Sequence, residues 1–179
     1  MASPELPNAP TLLPPTLVHT PALSRAMLET LRQADQIAVD TESDSFYRYP
    51  ERICLIQIST AQEDYLLDVL SLGLGDLSGL GKIFAEAGRQ KVFHDAQYDI
   101  ACMKRSYGFT FANIFDTMAA ARILGLRPIG LGTLLQQYSG VTLNKSLQRS
   151  YWGLRPISRL QIIYAQADTH YLLDLKNIL

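Results

Sequence analysis

The run Ile53–Ser59 constrains the fold of this 179-residue chain more than any other segment. Its sequence, Ile-Cys-Leu-Ile-Gln-Ile-Ser, is almost continuously apolar, which is typical of a strand buried inside a sheet. Strand-like runs come first along the chain, strands mixed with helical patterns come next, and helical patterns alone follow. This order predicts an α/β domain in which α-helices flank a mixed β-sheet.

Apolar periodicity and capping residues place the other elements. Residues 1–21 hold six of the nine prolines and are predicted to form an extended lead, followed by one domain over residues 22–179. Further strands are predicted at Gln36–Asp40, Tyr65–Val69, Lys91–His94 and Ala112–Phe115. Helices are predicted at Ser24–Ala34 with Ser24 as N-cap, and at Leu77–Ala87, Ala96–Tyr107, Asp116–Leu124, Gly130–Tyr138 and Ser158–Leu179.

Composition excludes several classes of protein. The apolar fraction, 47%, is that of a globular chain. No apolar run approaches the ~20 residues of a membrane span, and residues 1–16 lack the basic start and apolar stretch of a signal peptide. Cys54 and Cys102 have apolar neighbours and are too few for a disulfide framework. We therefore expect a protein of the reducing cytoplasm without membrane contact, whose oligomeric state the sequence leaves open.

Charge is unevenly distributed, although the net charge is only −1. The stretch 117–167 carries six basic residues and no Asp or Glu, which leaves 10 basic and 17 acidic residues elsewhere. Such a split predicts a cationic surface beside a carboxylate-rich one, as in an enzyme that binds a polyanion and metal ions. Solvated helix faces would produce the same split.

Two carboxylates separated by one residue, Asp40 and Glu42, stand where an apolar strand ends. Because side chains at i and i+2 of a strand point to the same face, these two charges should lie close together. A hard divalent cation such as Mg²⁺ would relieve their repulsion. A solvated turn at the strand end is the alternative interpretation.

Two further acids belong to predicted helices. Asp99 lies one turn into the helix that follows His94, and Asp95 is the predicted N-cap of that helix. In the last helix Tyr164 and Asp168 are four residues apart and share a face. Taken alone, His94 fits a core histidine equally well, and the Tyr164–Asp168 pair fits a hydrogen bond that pins the helix.

Together, the four acids and the tyrosine predict a chemistry that none of them predicts separately. Asp40, Glu42, Asp99 and Asp168 match what two divalent cations about 3.5–4 Å apart require for phosphodiester hydrolysis. One ion would lower the pKa of a water, and the other would stabilise the departing oxygen. Tyr164 is predicted to orient the attacking water, since a phenol with an ordinary pKa near ~10 is a poor base at neutral pH.

The order of these residues is D-x-E, an acid five residues after a strand-end histidine, and Y-x-x-x-D. It resembles the DEDDy branch of the 3′→5′ exonucleases, and more narrowly ribonuclease D and the exonuclease domain of Werner-type proteins. The sister branch has a histidine where this chain has Ile163, which favours the DEDDy branch. The resemblance covers about Ile37 to Leu175. Besides the acids it includes Tyr49-Pro50, Leu55-Ile56-Gln57-Ile58, Phe115-Asp116-Thr117, Leu143-Asn144-Lys145-Ser146, Gln148-Arg149-Ser150, Trp152, Arg155-Pro156 and Asp168-x-x-Tyr171-Leu172-Leu173.

The resemblance implies an RNase H-like fold and a metal-dependent exonuclease that releases nucleoside 5′-monophosphates from the 3′ end of RNA. It assigns Asp40 and Glu42 to the first exonuclease motif, Asp99 to the second, and Tyr164 and Asp168 to the third. The four acids would hold two Mg²⁺ or Mn²⁺ ions. The resemblance covers the exonuclease domain only, because the helical HRDC domains of longer ribonuclease D proteins have no counterpart in the sequence.

Nucleic-acid contacts are predicted for Thr41, His94, Lys145, Arg149 and Arg155. The basic stretch 117–167 is expected to border the groove that holds the 3′ end of single-stranded RNA or DNA. A structural role is the alternative for His94. The alternatives for the whole protein are the same site acting mainly on DNA 3′ ends, and a nucleic-acid-binding module without catalysis.

Overall fold

The computed structural model describes residues 12–143 and 145–179. Residues 1–11 of the predicted lead, residue 144 and the side chain of Lys145 lie outside that description. The described chain forms a six-stranded mixed sheet with helices on both faces, which confirms the α/β prediction. Its strands are β1 Thr16–Val18, β2 Gln36–Ser43, β3 Ile53–Ser59, β4 Asp64–Leu67, β5 Gln90–Phe93 and β6 Ile114–Asp116. Its helices are α1 Pro21–Gln33, α2 Leu74–Ala85, α3 Ala96–Tyr107, α4 Thr117–Ile123, α5 Leu131–Ser139, α6 Arg159–His170 and α7 Leu172–Ile178.

The strand order is β1-β4-β3-β2-β5-β6. β3 pairs antiparallel with β2 and β4, whereas β1 with β4, β2 with β5, and β5 with β6 are parallel pairs. Every residue of β3 is buried, as its apolar sequence predicts. Because β2 and β3 form the centre of the sheet, side chains near the end of β2 emerge in the middle of the domain.

Side chains of β2 alternate between two helical layers, one on each face of the sheet. Helices α1, α2 and α3 cover one face, where Val39 joins the core, and α4, α5 and α7 cover the other, where Ala38 does. Helix α6 packs across β2, β3 and β4. The alternation along a strand therefore directs Asp40 and Glu42 to the α6 side and Thr41 to the α3 side.

Helix α1 begins three residues earlier than Ser24, the residue predicted as its N-cap. Pro21 occupies the first turn, where its missing N–H costs no hydrogen bond, and the Thr20 hydroxyl accepts a hydrogen bond from the Leu23 N–H. Ser24 is instead buried, and its hydroxyl donates to the carbonyl of Asp76 at 3.1 Å. The Ser24 cap prediction was wrong because Thr20-Pro21 supplies a stronger start signal.

Part of the predicted extended lead belongs to the sheet. Residues 16–18 form β1 at the edge, and Val18 is fully buried against the core. The carbonyl of Leu13 accepts a hydrogen bond from the Gln166 side chain at 2.7 Å, which ties the segment before β1 to α6.

The helix predicted over Ser158–Leu179 is divided at Tyr171 into α6 and α7. Ser158 caps α6 as predicted, with its hydroxyl accepting from the Gln161 N–H. The division allows α6 to pack over β3 and β4 while α7 packs on β5. None of the described helices combines the length and the apolar character needed to cross a bilayer.

Candidate active site

All five residues of the predicted exonuclease motifs line one open cleft of about 430 Å³. The cleft lies at the end of β2, between the first turn of α3 and the middle of α6. Thr41, His94 and Gln148 also line it. The tertiary structure thus brings together three segments that are far apart in the chain.

Three of the four acids converge on one point. Carboxylate oxygens of Asp40, Glu42 and Asp168 lie within 4.8 Å of one another. Asp99 accepts a hydrogen bond from the Thr41 hydroxyl, on the other side of β2. Oxygen ligands in this arrangement fit a hard divalent cation, with Asp99 beside the group.

The start of α3 differs from the prediction that Asp95 caps it. Asp95 stands at the N-cap position with a left-handed backbone (φ 67°), but its side chain makes no capping hydrogen bond. The carboxylate of Asp116 accepts from the N–H groups of Asp95 (3.0 Å) and Ala96 (2.9 Å) instead. Asp116 also accepts from the Met118 N–H at the start of α4. One carboxylate therefore holds the first turns of both helices and, through α3, the position of Asp99.

The carboxylates of the cleft are difficult to ionise all at once. Burial, followed by the charges of Asp99 and Asp168, raises the pKa of Asp40 well above its ordinary value. Burial and the charge of Asp168 likewise raise the pKa of Glu42. The pKa of Asp168 is raised to about 7 by burial, and that of Asp99 to about 6, mainly by burial. The metal-free site carries more negative charge than its surroundings stabilise, which is what a cation site requires.

These raised pKa values predict that the metal-free protein loses stability as pH rises. Below pH ~3.9, the ordinary pKa of an aspartate in the unfolded chain, the protonated acids contribute their full stability. This contribution is lost as pH rises through their pKa values in the folded protein, about 6 for Asp99 and about 7 for Asp168. Between pH 5 and pH 8 in EDTA we expect a loss of at least about 1 kcal/mol, roughly 2–4 °C in Tm. Thermal unfolding at the two pH values would measure it.

The same experiment has two internal controls. Addition of Mn²⁺ should restore the Tm at pH 8, and Asp168→Asn should reduce the pH dependence in EDTA. A metal-free Tm that rises between pH 5 and pH 8 would contradict the electrostatic description of the site.

Tyr164 stays a protonated phenol in this environment. Burial first, and then the charges of Asp168 and Glu42, raise its pKa far above the ordinary value. Its ring lies 5.9 Å from that of Trp152, which is itself buried. The hydroxyl can therefore orient a water molecule by hydrogen bonding, whereas it cannot act as a base at neutral pH.

His94 occupies an intermediate position between core and cleft. Its Nδ1 lies 2.8 Å from the Thr117 hydroxyl, and that hydroxyl donates its proton to the Phe93 carbonyl at 3.1 Å. Burial lowers the pKa of His94, so the ring is neutral at neutral pH. The contact with Thr117 gives His94 a structural role. His94 also lines the cleft, and its contact with nucleic acid stays a prediction.

Arg155 has a structural role that the sequence did not predict. Its Nε and one Nη bind the two carboxylate oxygens of buried Asp68 at 2.7 Å each. Its remaining hydrogen bonds go to the carbonyls of Cys54, Trp152 and Leu154. All five donors of the guanidinium are thus used within the protein, and none is left for the phosphate contact that we predicted.

Replacing Arg155 should therefore affect stability. Arg155→Ala leaves the Asp68 carboxylate buried without its partner, and we expect the free energy of unfolding to fall by about 3–5 kcal/mol. Urea denaturation would measure this change. The double variant Asp68→Ala/Arg155→Ala should lose less than the sum of the two single variants. A loss below ~1 kcal/mol for Arg155→Ala would contradict the structural role.

Arg149 lies in a different environment, on the protein surface. Its guanidinium carbon is 5.5 Å from the centre of the Phe46 ring, and its carbonyl accepts a hydrogen bond from the Tyr47 hydroxyl at 3.0 Å. The Tyr47 ring lies 4.7 Å from that of Tyr151. We call Phe46, Tyr47 and Tyr151 the aromatic rim. Phe46 and Tyr47 are 62% and 56% exposed, and Gln148, beside Arg149, lines the cleft.

The aromatic rim was missed at the level of sequence. The run Phe46-Tyr47-Arg48-Tyr49, directly after the D-x-E motif, was a local signal of an exposed aromatic surface. Its contact with Tyr151 joins segments about a hundred residues apart and could not be read from the chain.

A family model described as a 3′-5′ exonuclease matches residues 15–179. The exosome complex exonuclease RRP6 of Saccharomyces cerevisiae is 37% identical over 161 residues, which are 90% of this chain and 22% of that protein. Protein RRP6-like 2 of Arabidopsis thaliana is 37% identical over 155 residues, 87% of this chain and 18% of that protein. The chain thus spans about a fifth of the length of these curated relatives.

Solved structures agree with the sequence comparisons. The catalytic core of RRP6 from Trypanosoma brucei superposes with a TM-score of 0.88 at 34% identity, over 92% of this chain and 45% of that one. Escherichia coli RNase D, described as an exoribonuclease involved in structured RNA processing, gives 0.86 at 30% identity, over 93% and 44%. The predicted RNase H-like fold of the DEDD exonucleases is confirmed.

Proposed function

Because the chain belongs to the 3′-5′ exonuclease family, we propose that it removes nucleotides one at a time from the 3′ end of RNA as nucleoside 5′-monophosphates. The observation that carries the proposal is the convergence of Asp40, Glu42 and Asp168 within 4.8 Å. Asp99 and Tyr164 share their cleft. A protein that only binds nucleic acid has no need for this concentration of half-buried carboxylates.

The acids would hold the divalent metal ions on which this family depends. We propose Mg²⁺ or Mn²⁺, because both suit carboxylate ligands. Asp40, Glu42 and Asp168 are the residues that would hold one ion, and Asp99 would help to hold a second. Two such ions, when bound, would lower the pKa of the attacking water and neutralise charge on the departing 3′ oxygen.

The remaining side chains of the cleft orient these groups and the substrate. The protonated hydroxyl of Tyr164 is a hydrogen-bond partner for the attacking water. The Thr41 hydroxyl donates a hydrogen bond to the Asp99 carboxylate, and Thr41 lines the cleft, where it is available to contact the substrate. Neutral His94 is available to contact the 3′-terminal nucleotide without adding charge.

A single strand is the substrate form that the surface beside the cleft favours. Exposed aromatic rings that border a cationic groove can stack bases without regard to their sequence. The aromatic rim and Arg149 form such a surface, and Lys145 belongs to the same basic stretch. We propose RNA and not DNA because the relatives are named as exosome and RNA-processing exonucleases. DNA 3′ ends are the alternative substrate.

The test uses 5′-labelled single-stranded RNA and its DNA counterpart, each with Mg²⁺, Mn²⁺ or EDTA. A ladder that shortens from the 3′ end, and is absent in EDTA, is the expected result. The faster polymer identifies the substrate. A blunt duplex of the same sequence is the matched control and should be degraded more slowly. Intact RNA with both Mg²⁺ and Mn²⁺, together with a retained gel shift, would indicate a binding module.

Arg149 provides a more specific test of the groove. Arg149→Ala should weaken single-stranded RNA binding about equally for all sequences, and should reduce the slope of log K against log salt by roughly one phosphate contact. Fluorescence anisotropy in Ca²⁺ at several salt concentrations would measure the slope. Arg25→Ala, an exposed arginine on α1 at the opposite face, is the control and should leave the slope unchanged. Equal slopes for wild type and Arg149→Ala would remove Arg149 from the interface.

We also propose a cytoplasmic location. Cys54 and Cys102 are both free and buried, which suits a reducing compartment. Cell fractionation with antibodies to compartment markers would test the location.

A further inference from the structure

Gln57, in the middle of β3, is a polar side chain in the core. It is fully buried, and neither its Nε2 nor its Oε1 has a hydrogen-bond partner among the described residues. Buried polar groups in proteins are almost always hydrogen-bonded, so an exception needs an explanation. Its neighbours Leu55 and Leu66 show that an apolar side chain would fit this layer of the core.

The sheet register places Gln57 beside the candidate metal site. Gln57 is the direct partner of Asp40 in the antiparallel β2–β3 pair. Directly opposed residues point to the same face with their Cβ atoms about 4.5–5.5 Å apart. The Gln57 amide and the Asp40 carboxylate therefore occupy the same layer, beneath α6.

The packing of α6 locates this layer more closely. Two residues beyond Gln57, the Ser59 hydroxyl lies 2.8 Å from the Thr169 hydroxyl of α6. Two residues before it, Leu55 packs in a cluster with Ala165. Gln57 thus lies under the single helical turn of α6 that connects these two contacts, and Asp168 belongs to that turn.

We propose that Gln57 is a positioning residue of the metal site, whose side-chain amide donates to the Asp40 carboxylate when a divalent cation is bound there. Carboxylates that ligate a metal are generally held by hydrogen bonds from outer residues, and the loss of such a partner weakens metal affinity about 10–100-fold. The Gln57 amide, which has no partner among the described residues, is available to donate in that state. The inference rests on the proposed function only in requiring that a divalent cation binds at Asp40.

Gln57→Met tests this role because methionine has a similar length and no hydrogen-bonding group. Mn²⁺ affinity is measured by isothermal titration calorimetry without nucleic acid, and the Tm is measured in EDTA. We expect Mn²⁺ to bind about 10–100-fold more weakly, while the metal-free Tm is unchanged or higher, since an unsatisfied amide has been removed. In RNA cleavage by Gln57→Met, the Mn²⁺ concentration that gives half the maximal rate should rise by a larger factor than the factor by which the rate at saturating Mn²⁺ falls.

Gln166→Met is the matched control, another buried glutamine under the same substitution. Its amide donates to Asp64 and to the Leu13 carbonyl, and not to any of the four acids of the cleft. This variant should lower the Tm and leave the Mn²⁺ affinity unchanged. The inference is overturned if Gln57→Met binds Mn²⁺ as the wild type does, if its affinity falls only together with its Tm, or if the wild type binds no Mn²⁺.

The outcome for Gln57 is separable from the outcome for the exonuclease proposal. A wild type that binds Mn²⁺ and cleaves no RNA would contradict the proposed function, and a weaker Mn²⁺ affinity in Gln57→Met would still support the positioning role. A wild type that cleaves RNA, with unchanged Mn²⁺ affinity in Gln57→Met, would contradict only the role of Gln57.

Discussion

Asp40→Asn is expected to lower the rate of RNA cleavage at saturating Mg²⁺ by at least about 10³-fold, more than the ~10–100-fold typical of residues that only support a metal ligand. The carboxylate of Asp40 lies within 4.8 Å of those of Glu42 and Asp168, so the substitution removes one of three converging charges. The amide of asparagine keeps the size of the side chain but is a much weaker ligand for a hard cation. Single-turnover cleavage of labelled RNA would measure the rate.

The same substitution should stabilise the metal-free protein. Burial and the charges of Asp99 and Asp168 oppose ionisation of Asp40, so a neutral amide relieves an unfavourable interaction. We expect the Tm of Asp40→Asn in EDTA at pH 8 to exceed that of the wild type by roughly 2–4 °C for each kcal/mol gained. The combination of lost activity and higher Tm separates a functional acid from a structural one. An active variant, or an inactive variant with a much lower Tm, would contradict the assignment.

Tyr164→Phe is expected to lower the cleavage rate about 100-fold, the usual effect of a misplaced reacting group, and to leave Mn²⁺ affinity within about twofold. The ring packs against Trp152, so phenylalanine preserves the contact and removes only the hydroxyl. The acids that would hold the ions are unchanged. Parallel calorimetry and single-turnover cleavage would separate the two effects.

The pH profile adds a criterion for Tyr164. Because the pKa of its hydroxyl is raised far above neutrality, Tyr164 does not titrate between pH 6 and pH 9. Wild type and Tyr164→Phe should therefore show rate profiles of the same shape, displaced vertically. A variant that keeps more than half of the wild-type rate, or a profile that changes shape, would contradict the water-orienting role.

The grouping of motif residues within each segment was predictable because local rules act on it. Alternation along β2 places Asp40 and Glu42 on one face, and helical periodicity places Tyr164 and Asp168 on another. The helix boundaries of α3 were likewise predicted from apolar spacing, and β3 from its apolar run. Each of these predictions depends on residues within a few positions of one another.

The errors concern residues whose partners are distant in the chain. Arg155 was assigned to nucleic acid, but its carboxylate partner Asp68 is 87 residues away. Asp95 was assigned as a cap, but Asp116 takes that role from the next strand. In both cases the local sequence identified a charged group correctly, whereas the group that satisfies it is brought there by the sheet.

The sequence by itself determined the layered α/β fold, because the periodicity of apolar residues is a local property, and it determined the family through the order of its motifs along the chain. Only the tertiary structure decided which polar groups are already satisfied. It pairs Arg155 with Asp68 and leaves Arg149 on the surface beside the aromatic rim. It also places Gln57, which has no partner among the described residues, opposite Asp40. The physical reason is that hydrogen bonding and desolvation depend on which groups come together in space. Strand register and helix packing bring such groups together even when they are about a hundred residues apart in the chain.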